Sequence, residues 1–408
     1  MRLAPAVLWL LVPSAALAAP SALRLAPRPH VIGGENAADG AWPDAAAIMF
    51  PDMTGDEALC SGTLIAPTVV ITAGHCYDPT DPPLPDNVLI GTTSLARPDD
   101  GETIAIQQGF VHPNPETTED VTVLILAQPS KLAPRALATG WAATDIVNGA
   151  AVELVGYGAI NKDGDDFIDE LQQAATTISD ADCTKSSGCN VSARPDGELG
   201  AGGDGIDTCP GDSGGPLYLT TKYGSYLAGV TSRSYDDAKV SCSGGGIYVR
   251  PDKIADWIEQ VAGVPVMRAP GPSAGAITAD HGASGDSQIA VDDPGSTRHD
   301  FEVTAQPAHG KAAVRDDGLV RVCPDATAAA GTDQVTVKIT DSTNSHRALS
   351  LTIPVTVTDG GSAPGCDLAG FDTDGGGCCD AGGRAGASIP LALGVVALIA
   401  RPRRRRRS

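Results

Sequence analysis

Short apolar runs separated by polar and glycine-rich turns predict that most of this chain is β-structure. Residues 59–78 read LCSGTLIAPTVVITAGHCYD, in which two apolar groups predict two strands turned at Ala66–Pro67. Residues 277–358 alternate apolar and polar positions over several short stretches, as antiparallel strands with one buried face do. Helical spacing (i, i+3, i+4, i+7) occurs at Ile254, Trp257, Ile258 and Val261. The pattern therefore predicts an all-β protein with one amphipathic helix.

Composition supports this prediction and limits the kinds of partner. Aromatic residues make up only 4% of the chain, whereas 48 glycines and 31 prolines favour short strands and many turns. The length of 408 residues is enough for two domains plus processing segments. The formal net charge of −22 gives a surface that repels phosphate backbones, so we expect no nucleic-acid partner.

The first residues have the order of a secretory signal. Arg2 is followed by an apolar run from Ala6 to Val12 and then by Ala16-Leu17-Ala18. This order predicts export, with a signal peptide over residues 1–18 and cleavage after Ala18. In an exported chain the ten cysteines favour disulfides over metal ligands, and the sequence contains no CxxC pair or HExxH motif. We therefore expect no metal and no cofactor.

Three residues have the chemistry of a nucleophilic catalyst. His75 follows the second predicted strand, between Cys60 and Cys76, whose disulfide would hold the segment that presents the imidazole. Asp120 directly precedes the apolar run VTVLIL, where a carboxylate can be buried beneath an imidazole. Ser213 lies in DTCPGDSGGPLYL, whose glycines allow a tight turn close to a substrate. A hydroxyl, a base and an orienting carboxylate are the parts of an acyl-transfer site.

The motifs TAGHC, DVTVL and GDSGGP, in this order, resemble those of the trypsin and chymotrypsin family of serine proteases. The resemblance extends from Val31 to about Val264 and implies a protease domain over residues 31–264. For this domain it implies the chymotrypsin-like fold, a double six-stranded β-barrel.

The same resemblance implies a role for each residue of the site. Ser213 is the expected nucleophile, His75 the general base, and Asp120 the carboxylate that orients the imidazole. The backbone N–H groups of Gly211 and Ser213 are the expected oxyanion hole.

The segment VIGGENA, which begins at Val31, resembles the mature N-terminus of that family. There the freed amino group pairs with the aspartate before the nucleophile, which here is Asp212. Residues 19–30 are then a propeptide. Because His30 stands where the family commonly has Arg or Lys, we expect activation by a separate protease.

Substrate specificity is predicted from the residue six positions before Ser213. In the family this position forms the floor of the primary pocket, and a carboxylate there, here Asp207, selects Arg or Lys. Arg233 leaves two interpretations open, since it either repels a basic substrate or pairs with Asp207. The resemblance assigns the rest of the pocket to Ser232, Ser234 and Gly246.

Disulfides beyond Cys60–Cys76 are implied by the resemblance and by one departure from it. The family has a disulfide beside the pocket. In the family a further cysteine usually pairs with a distant cysteine that lies just before an Ala-Gly pair ahead of the serine. Gly200 stands at that position here, which favours a disulfide that closes a short local loop. These two expected disulfides are Cys209–Cys242 and Cys183–Cys189. Farther along, Cys323 and Cys366 either pair or stay free, and Cys378 and Cys379 are candidates for processing or attachment.

Three regions follow the protease-like part. Residues 265–276 are rich in Pro, Gly, Ala and Ser and predict a linker. Residues 277–358 resemble bacterial immunoglobulin-like and cadherin-like modules, a β-sandwich that is either a spacer or a binding module. Residues 359–408 contain a Gly/Cys-rich stretch, an apolar run at 385–400 and a final RPRRRRRS. They resemble the MYXO-CTERM type of sorting tail, with an ordinary C-terminal anchor as the alternative.

Together these features predict a bacterial serine endopeptidase, secreted or held at the cell surface in the outer envelope. We expect a monomer that acts on proteins or peptides after Arg or Lys. Its other expected partners are an activating protease and C-terminal sorting machinery. The alternative function is a catalytically inactive, protease-like surface adhesin or binding protein.

Overall fold

The structure is a computed structural model that describes residues 31–51, 60–80, 82–113, 120–186, 188–189, 197–360 and 365–371. The predicted signal peptide, the propeptide, Cys378, Cys379 and the arginine-rich end lie outside these residues. Within the described ranges, no helix is long and apolar enough to cross a membrane.

The first barrel consists of six antiparallel strands and follows a two-residue strand, β1 (Glu35–Asn36). Its strands are β2 (Ala45–Met49), β3 (Cys60–Ala66), β4 (Val69–Thr72), β5 (Asn87–Ile90), β6 (Glu102–Val111) and β7 (Thr122–Leu126). They close in the order β2-β3-β4-β7-β6-β5. Leu64 and Val70 are paired across the β3–β4 hairpin and are fully buried inside the barrel. The predicted hairpin is therefore confirmed.

The second barrel follows a short helix, α1 (Gly140–Ala143), and is also closed. Its strands are β8 (Ala151–Gly156), β9 (Gln172–Asp180), β10 (Glu198–Ala201), β11 (Pro216–Thr221), β12 (Gly224–Ser234) and β13 (Gly246–Val249). The β8–β9 pairing closes the order β9-β10-β13-β12-β11-β8, and β1 pairs with Gln172 and Gln173 of β9, which β10 leaves unpaired. The helix α2 (Ala255–Ala262) then packs on the barrels through Ile258, as predicted.

A buried ion pair joins the two barrels. Arg135 Nε donates to Asp44 Oδ2 at 2.9 Å, and the Asp44 side chain, just before β2, is 1% exposed. From β11 of the second barrel, the Tyr218 hydroxyl donates to the same oxygen at 2.6 Å. The Arg135 guanidinium lies 4.7 Å from the Tyr218 ring centre. Because removal of one partner would leave a buried charge unpaired, this cluster fixes how the barrels meet.

Residues 265–276, predicted as a linker, are hydrogen-bonded to the barrels over their first half. Met267 N–H donates to the Ile65 carbonyl at 3.0 Å, and the Met267 carbonyl accepts the Leu137 N–H at 2.8 Å. Ala269 N–H donates to the Leu137 carbonyl at 3.0 Å, and the Ala269 side chain is buried. The first half of the predicted linker is therefore bonded to backbone groups of the barrels.

Beyond this segment the chain forms two sheets that share one hydrophobic cluster. The strands are β14 (Pro272–Ser273), β15 (Ile277–Asp280), β16 (Gly285–Gln288), β17 (Ala290–Val291), β18 (His299–Ala305), β19 (Gly310–Val314), β20 (Leu319–Pro324), β21 (Gly331–Asp341) and β22 (Asn344–Thr358). The sheets have the orders β15-β22-β21-β18 and β16-β20-β19, and β14 pairs with β17. A disulfide joins Cys323 to Cys366. Membership of the immunoglobulin-like class stays a prediction.

Trp141 of α1 connects the second barrel with these C-terminal sheets. Its indole is 2% exposed and belongs to the hydrophobic cluster of the sheets. It stacks on the His299 ring at 5.5 Å, and the Arg347 guanidinium lies 5.1 Å from its centre. The fully buried Asp293 carboxylate pairs with His299 and Arg347, each at 3.1 Å. An aromatic side chain beside the second barrel is therefore held by His299 and by the Asp293–Arg347 ion pair of the sheets.

We predict that Trp141→Ala destabilises the whole chain. Removal of a buried indole leaves a cavity and costs about 3–5 kcal/mol in the free energy of unfolding. Val147→Ala, at a side chain that is 51% exposed, is the control and should change this free energy by less than about 0.5 kcal/mol. Urea denaturation measures both, in a background that also carries Ser213→Ala at the expected nucleophile. Equal midpoints for the two variants would contradict the connection through Trp141.

Candidate active site

His75 is presented by a single helical turn at the end of β4. The turn, Gly74–Cys76, follows Ala73 directly, and the imidazole is 49% exposed at its edge. The Cys60–Cys76 disulfide ties this turn to the first residue of β3. The fixed turn therefore leaves one ring edge of His75 open to the cleft.

Asp120 lies beneath His75 and accepts three hydrogen bonds. Its Oδ2 lies 2.9 Å from His75 Nδ1, and its Oδ1 accepts the His75 backbone N–H at 2.9 Å. From the second barrel, Ser232 Oγ donates to Oδ2 at 2.7 Å. The Asp120 side chain is only 12% exposed. These bonds fix both the tautomer and the orientation of the imidazole, with Nδ1 as the donor.

The two ionisable groups shift each other's protonation. Burial opposes the charged form of His75, but the hydrogen bond to Asp120 and the charge of Asp120 raise the imidazole pKa above its ordinary value. Burial would raise the Asp120 pKa, but the hydrogen bond and charge of His75, with the Ser232 hydroxyl, leave that pKa lowered. The Asp120 carboxylate is therefore favoured in its ionised form beneath the imidazole.

Ser213 sits on a turn that contacts both barrels. Its carbonyl accepts the Ser61 N–H of β3 at 2.8 Å, and the next residue, Gly214, donates its N–H to the Thr231 carbonyl of β12 at 2.8 Å. Gly214 has φ +81°, and a Cβ there would lie 2.1 Å from Thr72 Oγ1. Only glycine allows this close approach. The structure thus brings Ser213 to the junction where His75 and Asp120 also lie.

Asp212, beside the nucleophile candidate, is completely buried. Its Oδ1 accepts the Gly158 N–H and its Oδ2 accepts the Cys209 N–H, both at 2.8 Å. Burial raises the pKa of this carboxyl to about 7, since two backbone donors only partly replace water. The segment that begins at Val31 is buried nearby, and the Ile32 carbonyl accepts the Asp207 N–H at 3.2 Å.

Asp207, the predicted pocket floor, is buried and held by backbone donors. Its Oδ2 accepts three N–H groups, from Ser243, Gly244 and Gly245, at 2.8–3.0 Å. Its Oδ1 accepts one, from Thr208. Burial raises the Asp207 pKa although these bonds oppose the rise. Oδ1 lies 3.5 Å from the point where a Cβ at Gly246 would stand, so glycine leaves space beside this oxygen.

Arg233 does not pair with Asp207, the alternative that the sequence left open. Its guanidinium forms a two-bond ion pair with Glu198 of β10, at 2.8 and 3.0 Å. The flanking Ser234 hydroxyl donates to the Ser241 carbonyl at 3.1 Å. Sequence analysis did not identify Glu198, whose side chain is 1% exposed. The available signal was one acidic residue in the short segment ELGA, which forms a buried strand.

The remaining predicted residues border or support this cleft. A cavity of about 700 Å³ beside His75 is lined by Tyr77, Thr80, Val111, Ser232 and Arg233, among others. The structure also joins the expected pairs Cys183–Cys189 and Cys209–Cys242. A base, an orienting carboxylate and a serine turn beside an open cleft can carry out acyl transfer.

This fold and cleft define a serine hydrolase of the two-barrel class. The family model described as Trypsin matches residues 31–258. The chain therefore belongs to the trypsin family of serine proteases.

Individual proteins are similar to this chain over part of its length. Brachyurin of Leptuca pugilator is 31% identical over 245 residues, which are 57% of this chain and 99% of brachyurin. Trypsin of Saccharopolyspora erythraea is 33% identical over 205 residues, 50% of this chain and 86% of that protein. The structure of neuropsin, a serine protease expressed in the limbic system of mouse brain, is 25% identical with a TM-score of 0.46. It corresponds to 56% of this chain and 98% of the neuropsin chain.

We predict a pH-dependent stability for the chain that is not cleaved before Val31. The folded-state pKa of Asp212 is raised from 3.8 to about 7, so the folded state holds this proton more tightly than the unfolded state does. The stabilisation is complete below about pH 4 and is lost as the pH rises through about 7. Asp212→Asn should remove this part of the pH dependence.

Urea denaturation at several pH values, in a Ser213→Ala background, measures the difference between the parent and Asp212→Asn. A second sample, from which a removable leader before Val31 has been cleaved, is the matched comparison. There the new ammonium group favours the ionised carboxylate, so the loss with rising pH should become smaller. Identical pH profiles for parent and Asp212→Asn would count against a protonated Asp212.

Proposed function

We propose that this trypsin-family protease is a secreted or surface-anchored endopeptidase with His75, Asp120 and Ser213 as its catalytic triad. The observation that supports the proposal most directly is the Asp120 carboxylate. It accepts both N–H groups of His75 and the Ser232 hydroxyl, which leaves Nε2 of the imidazole as the available base. Intact residues at all three positions do not favour the alternative of an inactive adhesin.

The proposed reaction begins with attack of Ser213 Oγ on the carbonyl carbon of the scissile bond. His75 Nε2 takes the hydroxyl proton, and the carbonyl π electrons move to the oxygen. When the tetrahedral intermediate collapses, the C–N bond breaks and His75 returns the proton to the leaving amine. A water molecule then repeats these steps on the acyl-enzyme and releases the carboxylic acid. Asp120 stays ionised and stabilises the imidazolium each time.

The backbone supplies the proposed oxyanion hole. The N–H groups of Gly211 and Ser213 would donate to the oxygen of the tetrahedral intermediate, and one such donor is worth about 3–4 kcal/mol in comparable enzymes. Gly211 has φ +96°, a conformation that favours glycine. The Gly211 carbonyl is turned to the Ser61 hydroxyl, which donates to it at 2.9 Å. The Pro210 carbonyl, which shares a trans peptide with the Gly211 N–H, accepts the Ala159 N–H at 2.9 Å, so the Gly211 N–H points in the opposite direction.

Cleavage before Val31 is the proposed activation step. The buried Asp212 carboxyl has backbone donors but needs a cation to be stable in its charged form. A free Val31 ammonium would supply that charge, and the docked Ile32 carbonyl already lies against the loop that carries Asp207. The new ion pair would stabilise the turn of Gly211 and Ser213.

The proposed specificity is for Arg or Lys before the scissile bond. A buried carboxylate at Asp207 rejects a neutral side chain, because that side chain leaves the charge unpaired. Oδ1 of Asp207 has one backbone donor and lies 3.5 Å from the point where a Cβ at Gly246 would stand. A cationic group of the substrate could donate to Oδ1 from this side. Ser232 and Ser234 lie along the strand that would border this pocket.

The proposed organisation of the full chain follows the sequence. We propose a signal peptide at 1–18, a propeptide at 19–30, the protease domain at 31–264 and a connecting segment at 265–276. An immunoglobulin-like β-sandwich at 277–358 and a sorting tail at 359–408 complete the proposal. The shared hydrophobic cluster of the two C-terminal sheets supports the sandwich, and the Trp141 contact supports a role as a docked module.

We predict that Ser213→Ala lowers kcat for peptide hydrolysis by about 10⁴-fold or more, because the nucleophile is lost while the binding cleft remains. Ser287→Ala is the matched control, since that hydroxyl donates to the Gly275 carbonyl in the C-terminal part. Circular dichroism should be the same for parent, variant and control. A Ser213→Ala enzyme with near-parental turnover would refute the triad.

A separate prediction concerns Asp207. Asp207→Ser should lower kcat/KM for substrates cleaved after Arg by about 10³-fold or more, while cleavage after Leu changes far less. Asp207→Asn keeps the volume and removes only the charge, so it separates the charge from the shape of the pocket. Profiling on a peptide library measures all three proteins. Retention of the preference for basic residues in Asp207→Ser would rule out this pocket.

A further inference from the structure

Arg233 is held in a fixed position next to the candidate triad. Nη1 and Nη2 donate to the two carboxylate oxygens of Glu198, and Nη2 also donates to the Gly188 carbonyl at 2.9 Å. The Glu198 side chain is 1% exposed, whereas that of Arg233 is 36% exposed. A planar guanidinium held by two parallel bonds loses most of its freedom to rotate.

The same guanidinium reaches the triad through one hydroxyl. Nη1 donates to Ser232 Oγ at 3.2 Å, and that hydroxyl donates to Asp120 Oδ2 at 2.7 Å. Asp120 Oδ2 in turn lies 2.9 Å from His75 Nδ1. A continuous series of hydrogen bonds therefore runs from buried Glu198 in β10 to the imidazole.

The donor properties of Arg give this series a direction. A serine hydroxyl has one proton and two lone pairs and normally rotates to suit its neighbours, whereas a guanidinium only donates. With an N–H of Arg233 directed at a lone pair of Ser232 Oγ, the hydroxyl proton is directed to Asp120. Donation to the oxygen also makes the hydroxyl a better donor, since linked hydrogen bonds polarise one another.

We propose that Arg233, anchored by Glu198, is a positioning residue that fixes the Ser232 hydroxyl toward Asp120 and so holds the carboxylate in place for His75. The inference rests on the proposed function, which makes His75 and Asp120 catalytic residues. Arg233 is hydrogen-bonded to Glu198, Gly188 and Ser232, and its proposed action on the triad is transmitted through Ser232.

The test is a double-mutant cycle that separates action through Ser232 from every other role of Arg233. Arg233→Met alone would leave the Glu198 charge buried and unpaired, so the change is made as the pair Arg233→Met/Glu198→Gln. This pair is introduced into the parent and into Ser232→Ala. In the parent, kcat should fall about threefold to tenfold, the effect of one hydrogen bond, with KM changed less than about twofold. In Ser232→Ala the same pair should change kcat by less than about twofold.

A second measurement does not need turnover. In a Ser213→Ala background, the proton NMR resonance of His75 Nδ1–H should shift when the Arg233/Glu198 pair is replaced. The same replacement in Ser213→Ala/Ser232→Ala should leave the resonance unmoved. Thermal unfolding of each protein checks that the variants are folded, and Arg321→Met, at a cation that pairs with Asp286 far from the cleft, is the control for loss of an ion pair.

Two outcomes would overturn this inference and leave the proposed function intact. Equal loss of kcat in both backgrounds would mean that Arg233 acts on the substrate or on folding, and an unchanged kcat in the parent would mean that it does nothing in the reaction. Labelling of the parent with a serine-directed phosphonate separates these two outcomes from failure of the proposed function. Without labelling at Ser213, the proposed function is wrong, and this inference is overturned with it.

Discussion

The structure depends on one buried carboxylate that is shared by the two barrels. Asp120 lies two residues before β7 of the first barrel, and it accepts hydrogen bonds from His75 after β4 and from Ser232 on β12 of the second barrel. A buried charge is tolerated only when its lone pairs are filled, so the barrels must meet in the one arrangement that brings these donors together. The buried Asp44, with Arg135 and Tyr218, imposes a similar condition elsewhere along the same interface.

Backbone donors around two further carboxylates organise the loop that carries Ser213. Asp207 accepts four N–H groups and Asp212 accepts two, and four of these six donors come from distant parts of the chain, at Gly158 and at 243–245. Glycine is needed at Gly156 and Gly158, where a Cβ would lie 2.1 and 2.5 Å from Asp212 atoms. The two acidic side chains therefore hold the surrounding loops in place through these hydrogen bonds.

A buried charge with fixed partners also lies where the C-terminal sheets contact the helix α1 beside the second barrel. The Trp141 indole lies against His299 and against the buried ion pair of Arg347 and Asp293. The Trp141 N–H of the backbone donates to the Pro270 carbonyl at 2.9 Å, so the connecting segment is part of the same contact. The C-terminal part is therefore packed against the protease domain rather than tethered to it by a free chain.

The sequence by itself determined the strand periodicity, the β3–β4 hairpin, the helix at 255–262 and the motifs that carry His75, Asp120 and Ser213. These features are local, because side-chain period and turn chemistry act over a few residues. Only the tertiary structure decided that Arg233 pairs with Glu198 and that Met267 bonds to Leu137. These partners are separated by 35 residues for the ion pair and by more than a hundred for the backbone bond. No local pattern encodes such contacts, since they arise only when strands close into barrels and a buried group must find a donor or a countercharge.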